Sequence, residues 1–211
     1  MTRVYLEVGK RRVFASAADW PGWTRSGKDE QSALEALAAA APRYAVAAKA
    51  ARILFAAGPK FEVVERLPGD ATTEFGAPGA IAKAESRRLT KKEAGRLSAL
   101  VAASWTVLDR VVDAAPSSLR KGPRGGGRDR DAIVEHVLGA ETAYARKLGL
   151  RLPQPDAGDA AAVRAHRNAL VAALRAGTKG VTERGWPARY VARRMAWHAL
   201  DHAWEIEDRS T

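Results

Sequence analysis

The apolar pattern of this chain changes period once, and that change limits the folds open to it more than any other feature. Residues 1–17 read "MTRVYLEVGKRRVFASA", where Val4, Leu6 and Val8 alternate with polar neighbours. "GKRR" is a turn signal, and Val13 and Ala15 resume the alternation, so the stretch predicts a β-hairpin. "DWPGWTRSG" reads as a Pro-Gly turn flanked by tryptophans. Asp29 or Ser26 can cap a following helix over about 30–57, with Leu34, Leu37, Tyr44 and Ala48 on one side and a kink or break at Pro42. "FEVVERLPG" predicts a further strand. Residues 68–85 hold glycines and prolines without periodicity. From Thr90 onward the spacing is helical, opening with a Thr90–Glu93 capping box. Four helical stretches follow, "TKKEAGRLSALVAASWTVLDRVVDAA", "DRDAIVEHVLGAETAYARKLGL", "DAGDAAAVRAHRNALVAALRAG" and the stretch after Pro187. The expectation is an α+β chain: a small α/β domain over 1–67, a linker over 68–89 and a four-helix bundle over 90–211.

The 211 residues suffice for a substantial core, with 46% hydrophobic and 28% charged residues. There is no cysteine. Disulfides, thiolate metal sites and a cysteine nucleophile are therefore excluded, and a reducing compartment fits. No stretch has the form of a signal peptide, and the alanine-rich runs are broken by charges well short of the ~20 apolar residues that span a bilayer. A cytoplasmic location without membrane attachment is the expectation. The net charge of +11 attracts polyanions, so nucleic acid enters as a partner class. That charge is spread along the chain, as expected of a basic solvated surface, with one concentration at "RKGPRGGGRDR".

The C-terminal "RYVARRMAWHALDHAWEIEDRST" holds two of the four histidines, His198 and His202. Residues four apart stack on one helix face, so both imidazoles can reach a single cation. Two ligands make a poor site. His136, in "AIVEHVLGAE", shares a face with Ile133, Val137 and Ala140 that should point into the bundle. His166, between Arg164 and Arg167, reads as exposed. The candidate set is His136, His198 and His202, leaving open positions as a catalytic metal site does. The alternative needs no metal: each imidazole bonds a backbone carbonyl, or pairs with Asp201 or Glu205. Asp201 and Glu205 are also the candidates to orient a ligand from behind, and Glu141 is a candidate for the pocket wall.

Residues 90–211 resemble the DinB-like superfamily of metal-dependent four-helix bundles, on "IVEHVLGAETAYARKLG" and "RRMAWHALDHAWEIEDR". The resemblance implies one divalent metal, zinc or nickel, on His136, His198 and His202. It further implies a thiol-dependent transferase using a low-molecular-weight thiol of the mycothiol or bacillithiol kind. Residues 1–67 are similar to HicB-like domains, a partial RNase H-like fold, on "DWPGWTRSGKDEQSALEAL". The DNA-binding tail usual in that family is absent, and the bundle stands in its place.

The loop "RKGPRGGGRDR" feeds the helix that carries His136. Its Arg124 and Arg128, with Arg120 and Arg130, are candidates to receive a carboxylate or phosphate, although the spacing is not that of a nucleotide P-loop. Trp105, Trp186, Trp197 and Trp204 fall in the helical half and read as packing residues. Arg193, Arg194 and Trp204 are candidates for a homodimer contact. Three functions compete: a metal-dependent transferase or hydrolase acting on a small molecule, a non-catalytic module whose basic surface meets nucleic acid or protein, and a bundle without chemistry.

Overall fold

The computed structural model describes residues 1–56, 58, 60–122, 126–177 and 185–210. A four-stranded mixed sheet is built from β1 (Thr2–Val8), β2 (Val13–Ala17), β3 (Thr24–Gly27) and β4 (Phe61–Pro68), in the order β3-β2-β1-β4. β1 and β2 form the expected antiparallel hairpin, with Val4 opposite Ala17 and Val8 opposite Val13. β4 lies parallel to β1, reached through two helices, α1 (Glu30–Ala39) and α2 (Ala41–Ala50). β3 was not visible in the sequence. "TRSG" has no apolar alternation, and its strand character comes only from pairing with β2 at the sheet edge.

The helix expected over 30–57 is divided at Ala40, with Pro42 in the first turn of α2, where its missing N–H costs nothing. Asp29 caps α1 reciprocally with Ser32, as its position suggested. α2 ends earlier than expected, because Arg52 adopts φ 57, a left-handed conformation that stops the helix.

Both faces of the hairpin are covered, so all of β2 and nearly all of β1 is buried. Val4, Leu6 and Ala15 belong to the same hydrophobic cluster as Trp23, Leu37 and Tyr44. Trp23 stacks on Tyr44 with ring centroids 5.7 Å apart and donates its indole N–H to the Leu37 carbonyl at 2.8 Å. On the opposite face, Phe14 meets Trp197 edge-on at 6.3 Å.

The helical half consists of α4 (Lys91–Ala114), α5 (Arg130–Lys147), α6 (Ala160–Ala176) and α7 (Ala188–Arg209). α7 packs on α4 and α5, and α4 also packs on α6 and α2. One hydrophobic cluster runs from the sheet through all four of these helices. The Pro21–Gly22 turn joins the halves. Gly22 has φ +93, and a Cβ there would lie 3.0 Å from the Ala196 backbone of α7. Only glycine allows that approach.

Residues 68–89, read from sequence as a linker, carry the short helix α3 (Ala71–Phe75) and a 3₁₀ turn at Lys83–Ser86. This segment is tied to both halves. Glu7 of β1 accepts from the Gly79 and Ala80 amides, each at 2.9 Å. Arg193 of α7 donates to Glu85 at 2.6 and 3.0 Å, and the Tyr190 hydroxyl donates to the Gly79 carbonyl at 2.6 Å. Among the described residues, no helix is long and apolar enough to cross a membrane.

The capping box at the start of α4 forms as expected, with Thr90 and Glu93 bonded reciprocally. Arg189 of α7 adds an ion pair to Glu93 at 2.6 Å. Bonds from Arg189 and then Thr90 pull the Glu93 carboxyl down to about 2. A carboxyl held low in the folded state binds fewer protons than in the unfolded chain. Its stabilisation is therefore full above about pH 4.5 and is lost as pH falls toward 2. Thr90→Ala should cost about 1 kcal/mol in denaturant unfolding. Glu93→Gln should flatten the acid limb of stability measured between pH 5 and pH 2.

Candidate metal centre

α7 presents His198 and His202 one turn apart on the face turned toward α5, and α5 brings His136 against them. The His198 and His136 Nε2 atoms are 3.2 Å apart, and the His202 and His198 Nε2 atoms are also 3.2 Å apart. The rings meet edge-on, with His136 and His202 centroids 5.1 Å apart. Three imidazoles from two helices thus converge, each offering a nitrogen, and they form a group able to hold a metal ion.

The spacing is informative. Nitrogens at metal–ligand distances of about 2.0–2.1 Å around a tetrahedral ion lie about 3.3 Å apart. Hydrogen bonding alone fits this cluster poorly. His202 Nδ1 is 2.8 Å from Glu205 Oε2, and a carboxylate there accepts the Nδ1 proton. The His202 Nε2 then carries a lone pair aimed at His198. One proton on His198 Nε2 can serve His202 or His136 but not both. A cation at the centre satisfies all three lone pairs at once.

Burial favours the neutral imidazoles that metal binding requires. Desolvation, then the neighbouring His202, push His136 below its usual value. The same two causes, with His136, Arg194 and Arg128 added, push His198 well below it. His202 and His136 are only half-buried, so the cluster reaches the surface. The Nδ1 of His198 is buried without a hydrogen-bond partner among the described residues.

The residues expected around the site divide sharply. Glu205 takes the orienting position behind His202 and is itself held by Arg209 at 2.6 Å. The bond from His202 is the main cause that lowers the Glu205 carboxyl. Asp201 instead pairs with Arg25 of β3 at 3.0 Å, because its side chain leaves α7 toward the sheet. Glu141 does not form the wall of this site. It is buried against Arg167 of α6, which also holds Asp109 at 2.8 Å. Five residues from His136, it projects from a different face of α5.

Arg128 is exposed, and its positive charge is a minor cause of the lowering of both His136 and His198. Arg124 lies outside the described residues. Arg120 donates to the Asp208 carbonyl, and Arg209 donates back to the Arg120 carbonyl, each at 2.8 Å. The basic loop is thereby fastened to the end of α7.

His166, expected on the surface, is buried in α6 and stands apart from the cluster. The expected dimer contact at Arg193, Arg194 and Trp204 is not a surface. All three are buried within this chain, and Trp204 lies beneath Arg25 and Arg43, whose guanidinium carbons are 5.3 and 5.2 Å from its ring centre. Arg194 lies one turn before His198 on α7, and both pack against Trp197 and Tyr144, a neighbourhood its i, i+4 spacing to His198 could have shown.

Family models, curated proteins and solved structures give no match to this chain. The DinB-like and HicB-like resemblances therefore rest on the quoted residues, on a sheet unit followed by helices, and on the histidine cluster.

In the metal-free protein, nitrogen-resolved NMR of the imidazoles should find the His202 proton on Nδ1. Glu205→Ala should let that proton exchange between both ring nitrogens. A wild-type proton resident on Nε2 would contradict the arrangement.

Proposed function

We propose that this protein is a metal-dependent enzyme whose divalent cation is held by His136, His198 and His202. The observation that supports this reading is the convergence of three imidazoles whose ligand atoms all lie within 4.8 Å of one another, with the His198 Nε2 3.2 Å from those of His136 and His202 and Glu205 bonded to one ring. Three neutral donors leave the ion's charge intact and coordination positions open, the layout of a catalytic rather than a structural site. Imidazole donors suit zinc and nickel alike. When bound, such an ion acts as a Lewis acid and lowers the pKa of a coordinated water or thiol.

The chain's own residues supply the remainder. Glu205 fixes the ring of His202, and the buried wall of α7 keeps water from the back of His198. Arg128 adds positive charge at the exposed side. The absence of cysteine means that any thiol must come from a small molecule. The DinB-like resemblance selects a thiol-dependent transferase among metal-assisted reactions. The competing view, a basic module for nucleic acid, rests on a net charge of +11 that is spread along the chain, part of whose arginine is engaged internally. Arg167 and Arg193 are buried in ion pairs, and Arg25, Arg43, Arg189 and Arg209 are also paired within the chain.

Elemental analysis of the purified full chain, after loading with zinc or nickel, should find one ion per chain. His202→Ala should lose it, and Glu205→Gln should weaken its affinity by about 10- to 100-fold. Failure of the wild type to retain either metal would end this reading.

A further inference from the structure

Among the described residues, three arginines are buried: Arg167, Arg193 and Arg194. Two of them have carboxylates. Arg167 bonds Glu141 and Asp109, and Arg193 bonds Glu85 in paired contacts. Arg194 has none among the described residues. Its Nη1 donates to the Pro78 carbonyl at 2.8 Å and its Nη2 to the Tyr144 hydroxyl at 3.4 Å, while its Nε has no partner. At 8% exposure, this is a permanent charge removed from water with no counter-ion among the described residues, a costly arrangement when nothing negative meets it.

Arg194 stands one turn before His198 on α7. Its guanidinium carbon is 5.1 Å from the Trp197 ring centre and 5.8 Å from that of Tyr144. The same two rings flank His198, at 5.9 and 6.3 Å between centroids. Arg194 and His198 therefore lie against the same two aromatic rings. The carboxylates nearest the cluster are already engaged, Glu205 by His202 and Arg209 and Asp201 by Arg25. Arg128, exposed and with no ion pair among the described residues, adds a second positive charge. A divalent ion on the histidines would make the excess larger still.

The geometry points to an anionic ligand, with Arg194 as the residue that receives its carboxylate or equivalent group. This rests on the metal reading above and names the substrate class for the same site. The ligand carries a metal-binding atom at one end and a negative group at the other. A thiol bearing a carboxylate has that form.

The test compares two thiols that differ only at the distant end, 3-mercaptopropionate and 3-mercapto-1-propanol. Each is titrated calorimetrically into the zinc-loaded full chain. The carboxylate should bind about 10- to 100-fold more tightly, the worth of one charge-assisted hydrogen-bonded contact. Arg194→Gln keeps a donor for Pro78 but removes the charge. It should erase the preference while leaving zinc content and the affinity for the alcohol unchanged. Arg194→Lys, which keeps the charge without the planar fork, should retain a reduced preference, and serves if the glutamine variant does not fold. Equal wild-type affinities with zinc bound would overturn this inference and leave the metal reading standing. A preference that survives Arg194→Gln would overturn the role of Arg194. Zinc that does not bind at all would remove both.

Discussion

α7 is buried along most of its 22 residues, and the remainder of the molecule is arranged around that burial. An amphipathic surface helix hides one stripe, whereas α7 must be covered on every side. Its partners are correspondingly diverse. α4 and α5 pack on it as helices, the hairpin reaches it through Phe14, the Pro21–Gly22 turn sits on Ala196, and residues 78–85 are bonded to its arginines. Alanines at 192, 196, 199 and 203 let these neighbours come close. The same helix carries two of the three histidines, so its fixed position is what gives the cluster its geometry.

Covering a helix that contains arginines raises an electrostatic problem, and the chain resolves it in two ways. Arg193 faces the 3₁₀ turn and finds Glu85, which is buried with it. A buried pair of this kind contributes little net stability but is costly to break, so it specifies how residues 68–89 dock. Arg194 turns instead toward Tyr144 and Trp197, and among the described residues it is held by a carbonyl, a hydroxyl and two aromatic rings. No described carboxylate reaches it, and the anionic ligand proposed above would supply one.

Much of the architecture was legible because it is local. Period-two alternation marked the hairpin, Thr90 and Glu93 marked the start of α4, and Pro42 marked the division between α1 and α2. The unread elements lack local signals. β3 is a polar tetrapeptide made into a strand by its neighbour, and α2 stops at the backbone turn of Arg52 rather than at a glycine. His166 looked exposed because charged residues flank it, yet the helix surface at that position happens to be covered.

The site shows the same boundary. Sequence alone determined that His198 and His202 share a face, since helical geometry fixes residues four apart. It also supplied Glu205 within reach of His202. Only the tertiary structure decided that His136 meets them, that Asp201 turns away to Arg25, and that Glu141 serves Arg167. Successive residues on a helix point about 100° apart, so neighbours such as Arg193 and Arg194 enter different surroundings. Which surroundings those are depends on how α7 is rotated against elements distant in the chain, and no local pattern records that rotation.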